Sequence, residues 1–180
     1  MKRPVANIVG WVQSSDGTSV VARVLLGALA LALATRLSVP FWPVPVTAQT
    51  LAVLVLGALL GPREGVASVL AFLGAGVAGL PVFVAGGGPA YLFGPTGGYL
   101  VGFIPAAWLA GTLARAGWGR RLSTSLAAMA LADAVLFACG LAWLATVLPG
   151  DQLLAKGLLP FLPGEAMKVT LAAMTLRRVG

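Results

Sequence analysis

Histidine is absent from the 180 residues of this sequence, and cysteine occurs once, as Cys139. Without histidine, catalytic groups of the Ser–His type and histidine-ligated metal sites are excluded. A single cysteine cannot form a disulfide within the chain, and its place in the apolar segment LFACGLAW favours a small buried side chain over a reactive thiol. Because no carboxylate cluster compensates for these absences, we expect neither an enzyme nor a metal site.

Charged residues are also scarce. They make up 9% of the chain, whereas soluble domains carry about 25%. Hydrophobic residues make up 59%, the mean hydropathy is +0.97, and no charged residue occurs between Gly65 and Arg115. A spanning helix needs about 20 apolar residues, so this uncharged stretch is long enough for two. The composition therefore predicts a multi-pass membrane protein.

Proline and glycine clusters divide the chain into six predicted helices, at residues 20–37, 46–61, 64–80, 95–115, 122–148 and 158–177. The segment SVPFWPVPVT ends the first helix because proline cannot continue it. The segment GPREG is predicted as a tight turn between the second and third helices. We expect an all-α bundle of six transmembrane helices in a single domain spanning residues 1–180, with a short N-terminal segment at 1–19.

The basic residues predict the orientation of this bundle. Six spans place both termini on one side, where nine basic residues fall, against Arg36 and Lys156 on the other side. The nine are Lys2, Arg3, Arg23, Arg63, Arg115, Arg120, Arg121, Arg177 and Arg178. Under the positive-inside rule, both termini are cytoplasmic, and the Pro/Gly-rich links 38–46 and 81–94 lie outside. Basic residues at segment ends indicate topology, so we expect no nucleic-acid partner.

The two outer links predict an outward-facing pocket. Irregular backbone at membrane depth is tolerated only where it is buried in protein or lines a cavity; simple reversal of the chain is the alternative. The apolar and aromatic residues of this region, such as Phe83 and Tyr91, accompany few polar ones, such as Gln49, Thr96 and Tyr99. This composition suits a small, largely apolar ligand with a handful of polar contacts.

Glu165 and Lys168 lie three residues apart, on one face of the last predicted helix. With a helix start near Leu158, they lie two to three turns into it. An ionised residue inside a span costs about 2.5–3.5 kcal/mol on the insertion scale and usually faces a cavity. We favour a ligand site, and an ion pair that only neutralises itself is the alternative. Asp133 is interpreted as structural, close to the cytoplasmic start of the fifth helix, where a negative charge is favourable.

Three segments resemble the signature regions of the BioY family, the biotin-specific substrate-binding (S) component of energy-coupling factor (ECF) vitamin transporters. They are VPVTAQTLAVLVLGALLGPREG, GLPVFVAGGGPAYLFGPTGGYLVGF and FLPGEAMKV, and the resemblance runs from about Ala28 to Arg178. It implies biotin capture from outside the cell membrane. It also implies two kinds of partner, a transmembrane coupling subunit and two ATP-binding cassette ATPases. The chain has no phosphate-binding G-x-x-x-x-G-K-[ST] loop, so the partners use the ATP and no cofactor is expected here.

The resemblance also implies roles for particular residues. The acidic–x–x–Lys pair of the family falls on Glu165 and Lys168, although the family more often has Asp at the first position. The run GPTGGY places four residues beside the pocket: Gly94, Pro95, Thr96 and Tyr99. Glu165 suits the two ureido N–H groups of biotin, and Lys168 suits either its carboxylate or its ureido oxygen.

The first helix carries Ala28 and Ala32 four residues apart, and Ala30 and Ala34 form a second row of small residues. Small residues at this spacing allow close helix contact, either within the bundle or with another protein. The resemblance favours Ala28 and Ala32 as the docking face for the coupling subunit. The alternatives for the whole chain are an S component for thiamine or riboflavin, an intramembrane enzyme, and a membrane scaffold.

Overall fold

The computed structural model describes residues 17–179, which form six α-helices, two short strands and two 3-10 turns. The helices are α1 (Gly17–Arg36), α2 (Gln49–Val77), α3 (Gly97–Arg115), α4 (Leu122–Leu144), α5 (Gly150–Gly157) and α6 (Leu162–Val179). The strands β1 (Ser38–Val39) and β2 (Val46–Thr47) pair antiparallel, and the 3-10 turns are Pro89–Phe93 and Trp118–Arg120. Lys2, Arg3, Gly180 and most of the predicted segment 1–19 lie outside the described residues.

Helix α2 is a helical hairpin broken at Gly61. The backbone there has φ 82° and ψ 176°, a conformation that glycine adopts without strain. Pro62 follows, and a proline disfavours helical geometry in the residue before it. A methyl group on Gly65 would lie 2.9 Å from the Cα atom of Gly57, although a straight helix would separate these residues by about 12 Å. The halves 49–60 and 62–77 therefore fold back on each other, as the predicted turn requires.

Six segments cross the bundle, and the predicted fold class is confirmed. They are α1, the two halves of α2, α3, α4 and α6. By length and composition, α1, the whole of α2, α3 and α4 are apolar enough to span a membrane. Helix α6 falls short of that composition because it carries four charged residues, Glu165, Lys168, Arg177 and Arg178.

The outer end of the last crossing segment differs from the prediction. Helix α4 ends at Leu144 instead of 148, and the short helix α5 was not predicted. Helix α6 begins at Leu162 instead of 158, and Pro163 lies in its first turn, where a missing N–H is tolerated. Glu165 is therefore in the first turn of α6, and the predicted depth of two to three turns is wrong.

Small residues bring the central helices close together. A methyl group on Gly57 of α2 would lie 2.5 Å from the carbonyl oxygen of Ala107 on α3. A methyl group on Gly102 of α3 would lie 2.8 Å from the carbonyl oxygen of Leu136 on α4. These glycines allow close packing of the helices within the bundle.

Helix α1 lies at the edge of the bundle and buries one stripe, formed by Arg23, Gly27, Leu31 and Thr35. Arg23 is 2% exposed and donates two hydrogen bonds to Glu64, at 2.6 Å and 3.0 Å. Ala28 and Ala32 are half-buried against the core. Leu25, Leu26, Leu29 and Leu33 leave a broad apolar face of α1 exposed, and the exposed Leu37 follows the end of the helix.

The two ends of the bundle differ in charge. Arg23 and Glu64 lie beside the break in α2, and the guanidinium group of Arg115 approaches Gly61 from α3. At the opposite end, Arg36 donates a hydrogen bond to the carbonyl oxygen of Pro81. The described basic residues are therefore segregated as predicted, and the cytoplasmic location of the basic end stays a prediction.

Candidate ligand-binding site

A cavity lies among the outer links and the outer ends of α2, α3, α4 and α6. Its lining consists of Val44, Pro45, Thr47, Gln49, Thr50, Phe83, Val84, Tyr91, Thr96, Tyr99, Leu100, Phe103, Leu136, Phe137, Phe161 and Glu165. The cavity is narrow, with a volume of about 30 Å³. A vitamin-sized ligand therefore requires the lining side chains to move apart.

Aromatic rings form two walls of this cavity. On one side, Phe83 stacks on Tyr91 with ring centroids 4.8 Å apart. On the other, Tyr99 stacks on Phe161 at 6.2 Å, and Phe137 meets both rings edge-on at 5.7 Å. Offset-stacked and edge-on pairs are the favoured aromatic geometries. Flat faces of this kind suit a compact apolar ring system.

Helix α5 and the first outer link form a roof over the cavity. The hydroxyl group of Tyr99 donates a hydrogen bond to the carbonyl oxygen of Gly157, the last residue of α5, at 2.8 Å. The ammonium group of Lys156 lies 4.5 Å from the ring centroid of Trp42. Phe41 meets Phe161 edge-on at 6.3 Å. A few separate contacts thus hold the roof in place.

All three N–H donors of the Lys168 ammonium group bind protein atoms. It donates to Glu165 Oε1 at 2.7 Å, to Thr50 Oγ1 at 3.1 Å and to the carbonyl oxygen of Thr47 at 2.5 Å. An ammonium group has three donors, so none is left over in this state. Lys168 is 8% exposed and does not belong to the cavity lining. It therefore holds Glu165 and the start of α2 together.

The carboxyl group of Glu165 lines the cavity and is 4% exposed. Its Oε1 atom accepts from Lys168, and its Oε2 atom has no hydrogen-bond partner among the described residues. A buried acceptor without a partner is costly, so a ligand N–H donor at this position would be favourable. The Glu165 side chain thus reaches both the cavity and Lys168.

Asp133 lies close to Glu165 and Lys168, and we call these three residues the polar centre. The interpretation of Asp133 as a residue near the cytoplasmic start of its helix is wrong. Asp133 lies about 16 Å along α4 from Leu122, given a rise of 1.5 Å per residue. The side chain is 9% exposed, and its carboxyl group interacts with both Glu165 and Lys168. Helix α4 carries this group to mid-depth, where it meets α6.

The cavity brings together six of the nine residues predicted to bind the ligand, namely Gln49, Phe83, Tyr91, Thr96, Tyr99 and Glu165. Gly94, Pro95 and Lys168 lie outside the lining. The carbonyl oxygen of Gly94 instead accepts a hydrogen bond from the indole of Trp143 at 3.0 Å. The GPTGGY run thus contributes Thr96 and Tyr99 to the cavity and places Gly94 against α4.

Sequence reasoning missed part of the aromatic and aliphatic lining, including Phe103, Leu136, Phe137 and Phe161. Most of these residues lie in helices that are apolar all around, so periodicity does not reveal which face lines a cavity. Phe161 had a usable signal because it precedes Glu165 by four residues. Four positions correspond to neighbours on one helical face.

A second concave surface is open and lies between α1, the first half of α2 and α6. It is lined by Ala30, Leu33, Ala34, Leu37, Ala48, Leu51, Ala52, Val55, Leu56, Leu171, Met174, Thr175 and Arg178. Ala30 and Ala34 line it, whereas Ala28 and Ala32 do not. We call this surface the α1 groove.

Known proteins resemble this chain over most of its length. A sequence profile of the BioY family matches residues 5–180. The biotin transporter BioY of Rhizobium etli is 39% identical over 160 residues, covering 84% of this chain and 86% of that protein. The probable biotin transporter BioY of Pyrococcus horikoshii is 35% identical over 146 residues, covering 80% and 85%. The crystal structure of the S component for biotin from an ECF-type ABC transporter superposes with a TM-score of 0.78 at 29% identity, covering 92% of this chain and 94% of that one.

Proposed function

The chain belongs to the BioY family, and we propose that it is the S component of an ECF-type biotin transporter. In this role it is a multi-pass protein of the cell membrane that captures biotin from the outside. The relatives named as biotin transporters and the superposition on a biotin S component support this function. We propose a binding protein, not an enzyme, that carries no cofactor of its own.

The observation that carries the proposal is the open Oε2 atom of Glu165 at the end of an aromatic cavity. Biotin combines a compact fused ring system with two ureido N–H donors. The stacked pairs Phe83–Tyr91 and Tyr99–Phe161 offer flat apolar faces to the rings. A carboxylate oxygen is a strong acceptor for the ureido N–H groups.

Lys168 acts on the ligand mainly through Glu165 in this proposal. Its three donors already bind Glu165, Thr50 and Thr47. An oxygen of biotin reaches the ammonium group only by replacing one of these acceptors. We therefore assign Lys168 the role of neutralising Glu165 and fixing the direction of its carboxylate.

Biotin enters when the roof moves away, because the cavity is too narrow for a vitamin-sized ligand in this state. The cation–π contact between Lys156 and Trp42 and the aromatic pair Phe41–Phe161 are each worth about 0.5–1.5 kcal/mol. Breaking a few such contacts is within reach of thermal motion. The same contacts then hold the roof closed over the ligand.

Uptake requires partners, and we propose a transmembrane coupling subunit with two ATP-binding cassette ATPases that use the ATP. Helix α1 is the proposed docking element because it lies at the edge of the bundle and exposes an apolar face. The predicted row Ala28/Ala32 is half-buried against the core, and Ala30/Ala34 lines the α1 groove. Both rows are compatible with close approach of another helix. Bulky substitutions at Ala32 and Ala34 distinguish which row docks on the partner.

The test of the ligand is mass spectrometry of small molecules released from the detergent-purified protein, followed by titration calorimetry with biotin. We expect biotin to be released, and we expect added biotin to bind after it has been removed. Thiamine and riboflavin serve as controls and are expected to give no heat of binding. Release of another vitamin, or no binding of biotin to the folded protein, would contradict the proposal.

A further inference from the structure

The polar centre of the cavity contains two carboxyl groups, Asp133 and Glu165, but one ammonium group, Lys168. We propose that Asp133 carries a proton and donates it in a hydrogen bond to Oε2 of Glu165. Asp133 is then a positioning residue that fixes the carboxylate of the ligand site from behind. This inference deepens the proposed function and rests on it only where it concerns biotin.

Two unsatisfied atoms point to the shared proton. Among the buried side-chain nitrogen and oxygen atoms of the described residues, Asp133 Oδ1 and Glu165 Oε2 are the two without a hydrogen-bond partner. The same two carboxyl groups lie within hydrogen-bonding reach of each other. Ionised carboxylates are acceptors only, so they cannot satisfy one another. One proton between them converts two unpaired acceptors into a donor and an acceptor.

The charges of the centre lead to the same assignment. Lys168 forms its ion pair with Glu165 Oε1 at 2.7 Å and directs its other donors to the neutral oxygens of Thr47 and Thr50. With both carboxyl groups ionised, the centre would carry a net negative charge at mid-depth of the bundle. Like-charged carboxylates in one buried site disfavour double ionisation. With the proton, the centre is neutral.

The proton is assigned to Asp133 because the ammonium group of Lys168 forms its ion pair with Glu165. The charged groups that interact with Asp133 are Glu165 and Lys168, both on α6. Helices α2 and α3 contribute neutral polar side chains to the site, Gln49, Thr50 and Tyr99. No other charged side chain among the described residues that line the cavity competes for the proton.

A protonated Asp133 has consequences for the ligand. An oxygen of a carboxylate can accept two hydrogen bonds. Glu165 Oε2 therefore accepts from Asp133 on one side and keeps an acceptor site for a ureido N–H on the other. A neutral centre also does not repel the carboxylate of biotin, which a net negative centre would do.

Infrared spectroscopy of the ligand-free protein at neutral pH tests the proton directly, in a detergent without ester groups. The chain has five acidic residues, so the signal of one buried carboxylic acid is readily distinguished. We expect a C=O stretch of a protonated carboxyl group that shifts in D₂O and is lost in Asp133→Asn. Absence of this band in the wild type, or its persistence in folded Asp133→Asn, would overturn the assignment.

Biotin titration tests the positioning role. Asn at position 133 can still donate an N–H to Glu165, so Asp133→Asn should bind biotin within a fewfold of the wild type. Asp133→Leu removes the donor at similar volume and should weaken binding about 10-fold to 100-fold. Equal affinities of folded Asp133→Leu and wild type would refute the positioning role. The infrared result is obtained without ligand, so it tests the proton on Asp133 independently of whether biotin is the ligand.

Discussion

Methionine in place of Lys168 keeps the length of the side chain and removes the ammonium group that holds Glu165. In the wild type this group donates to Glu165 Oε1 at 2.7 Å, to Thr50 Oγ1 at 3.1 Å and to the carbonyl oxygen of Thr47 at 2.5 Å. In the variant these three acceptors lose their donor, and Glu165 keeps a buried charge without its counter-ion. Its carboxylate is then free to turn away from the ligand.

The expected loss of biotin affinity is large. Truncating one partner of a buried, hydrogen-bonded charge pair costs about 2–5 kcal/mol, much of it from the charge left behind. The Lys168 and Glu165 side chains are 11% and 5% exposed, so solvent screens the pair little. Since about 1.4 kcal/mol corresponds to a factor of ten, biotin should bind about thirtyfold to several thousandfold more weakly.

Titration calorimetry on detergent-purified protein measures this loss, with elution volume and helical circular dichroism as checks of folding. Lys156→Met is the matched control because Lys156 contacts the Gln152 side chain and the Trp42 ring outside the lining. The Lys156→Met variant should lose about 1 kcal/mol or less of the free energy of biotin binding. The double variant Glu165→Gln/Lys168→Met removes both charges. It should therefore be more thermally stable than Lys168→Met, but it should not recover affinity for biotin. Wild-type affinity in folded Lys168→Met would refute the reasoning.

Three further predictions concern topology, docking and the roof. In a cysteine-free background, a cysteine at exposed Ala116 should react only from the cytoplasm and one at exposed Phe93 only from outside; reaction of both from one side contradicts the six-span topology. Ala32→Trp should abolish co-purification with the coupling subunit while biotin affinity is kept. If only Ala34→Trp loses the partner, the docking face is the α1 groove and not the Ala28/Ala32 row. Tyr99→Phe removes the donor to Gly157, so the dissociation rate of labelled biotin should rise about fivefold for a loss of about 1 kcal/mol. An unchanged rate would show that α5 does not hold the ligand.

The course of the chain through the bundle was predictable because local rules decide it. Proline lacks an N–H and glycine tolerates positive φ, so the sequence GPREG predicts the reversal seen at Gly61. The distribution of arginine and lysine predicts which ends lie together, and Arg23, Arg115 and Arg36 lie at the expected ends. The start of α6 was less predictable because residues 158–161 form a turn between α5 and α6, not the first turn of the last helix.

The lining of the cavity was only partly predictable. Glu165 was found because a charge in an apolar helix is costly and therefore conspicuous. Phe103 and Phe137 were missed because helices that are apolar on every face give no periodic signal for the side that faces a cavity. Lys168 was assigned to the ligand, yet all three of its donors bind protein atoms, two of them on residues more than a hundred positions away in sequence.

Composition and local sequence patterns were sufficient to predict the class of the protein, its crossing segments, the segregation of its basic residues and the acidic–basic pair of α6. Composition and backbone chemistry act residue by residue, so these properties need no knowledge of the neighbours in space. The packing of the helices was needed to show that Asp133 joins Glu165 and Lys168, that Phe161 and Phe137 complete the aromatic wall, and which row of α1 faces the groove. These relations depend on how apolar helices rotate against each other. In an apolar solvent that rotation is set by close packing of specific side chains and by a few buried polar contacts.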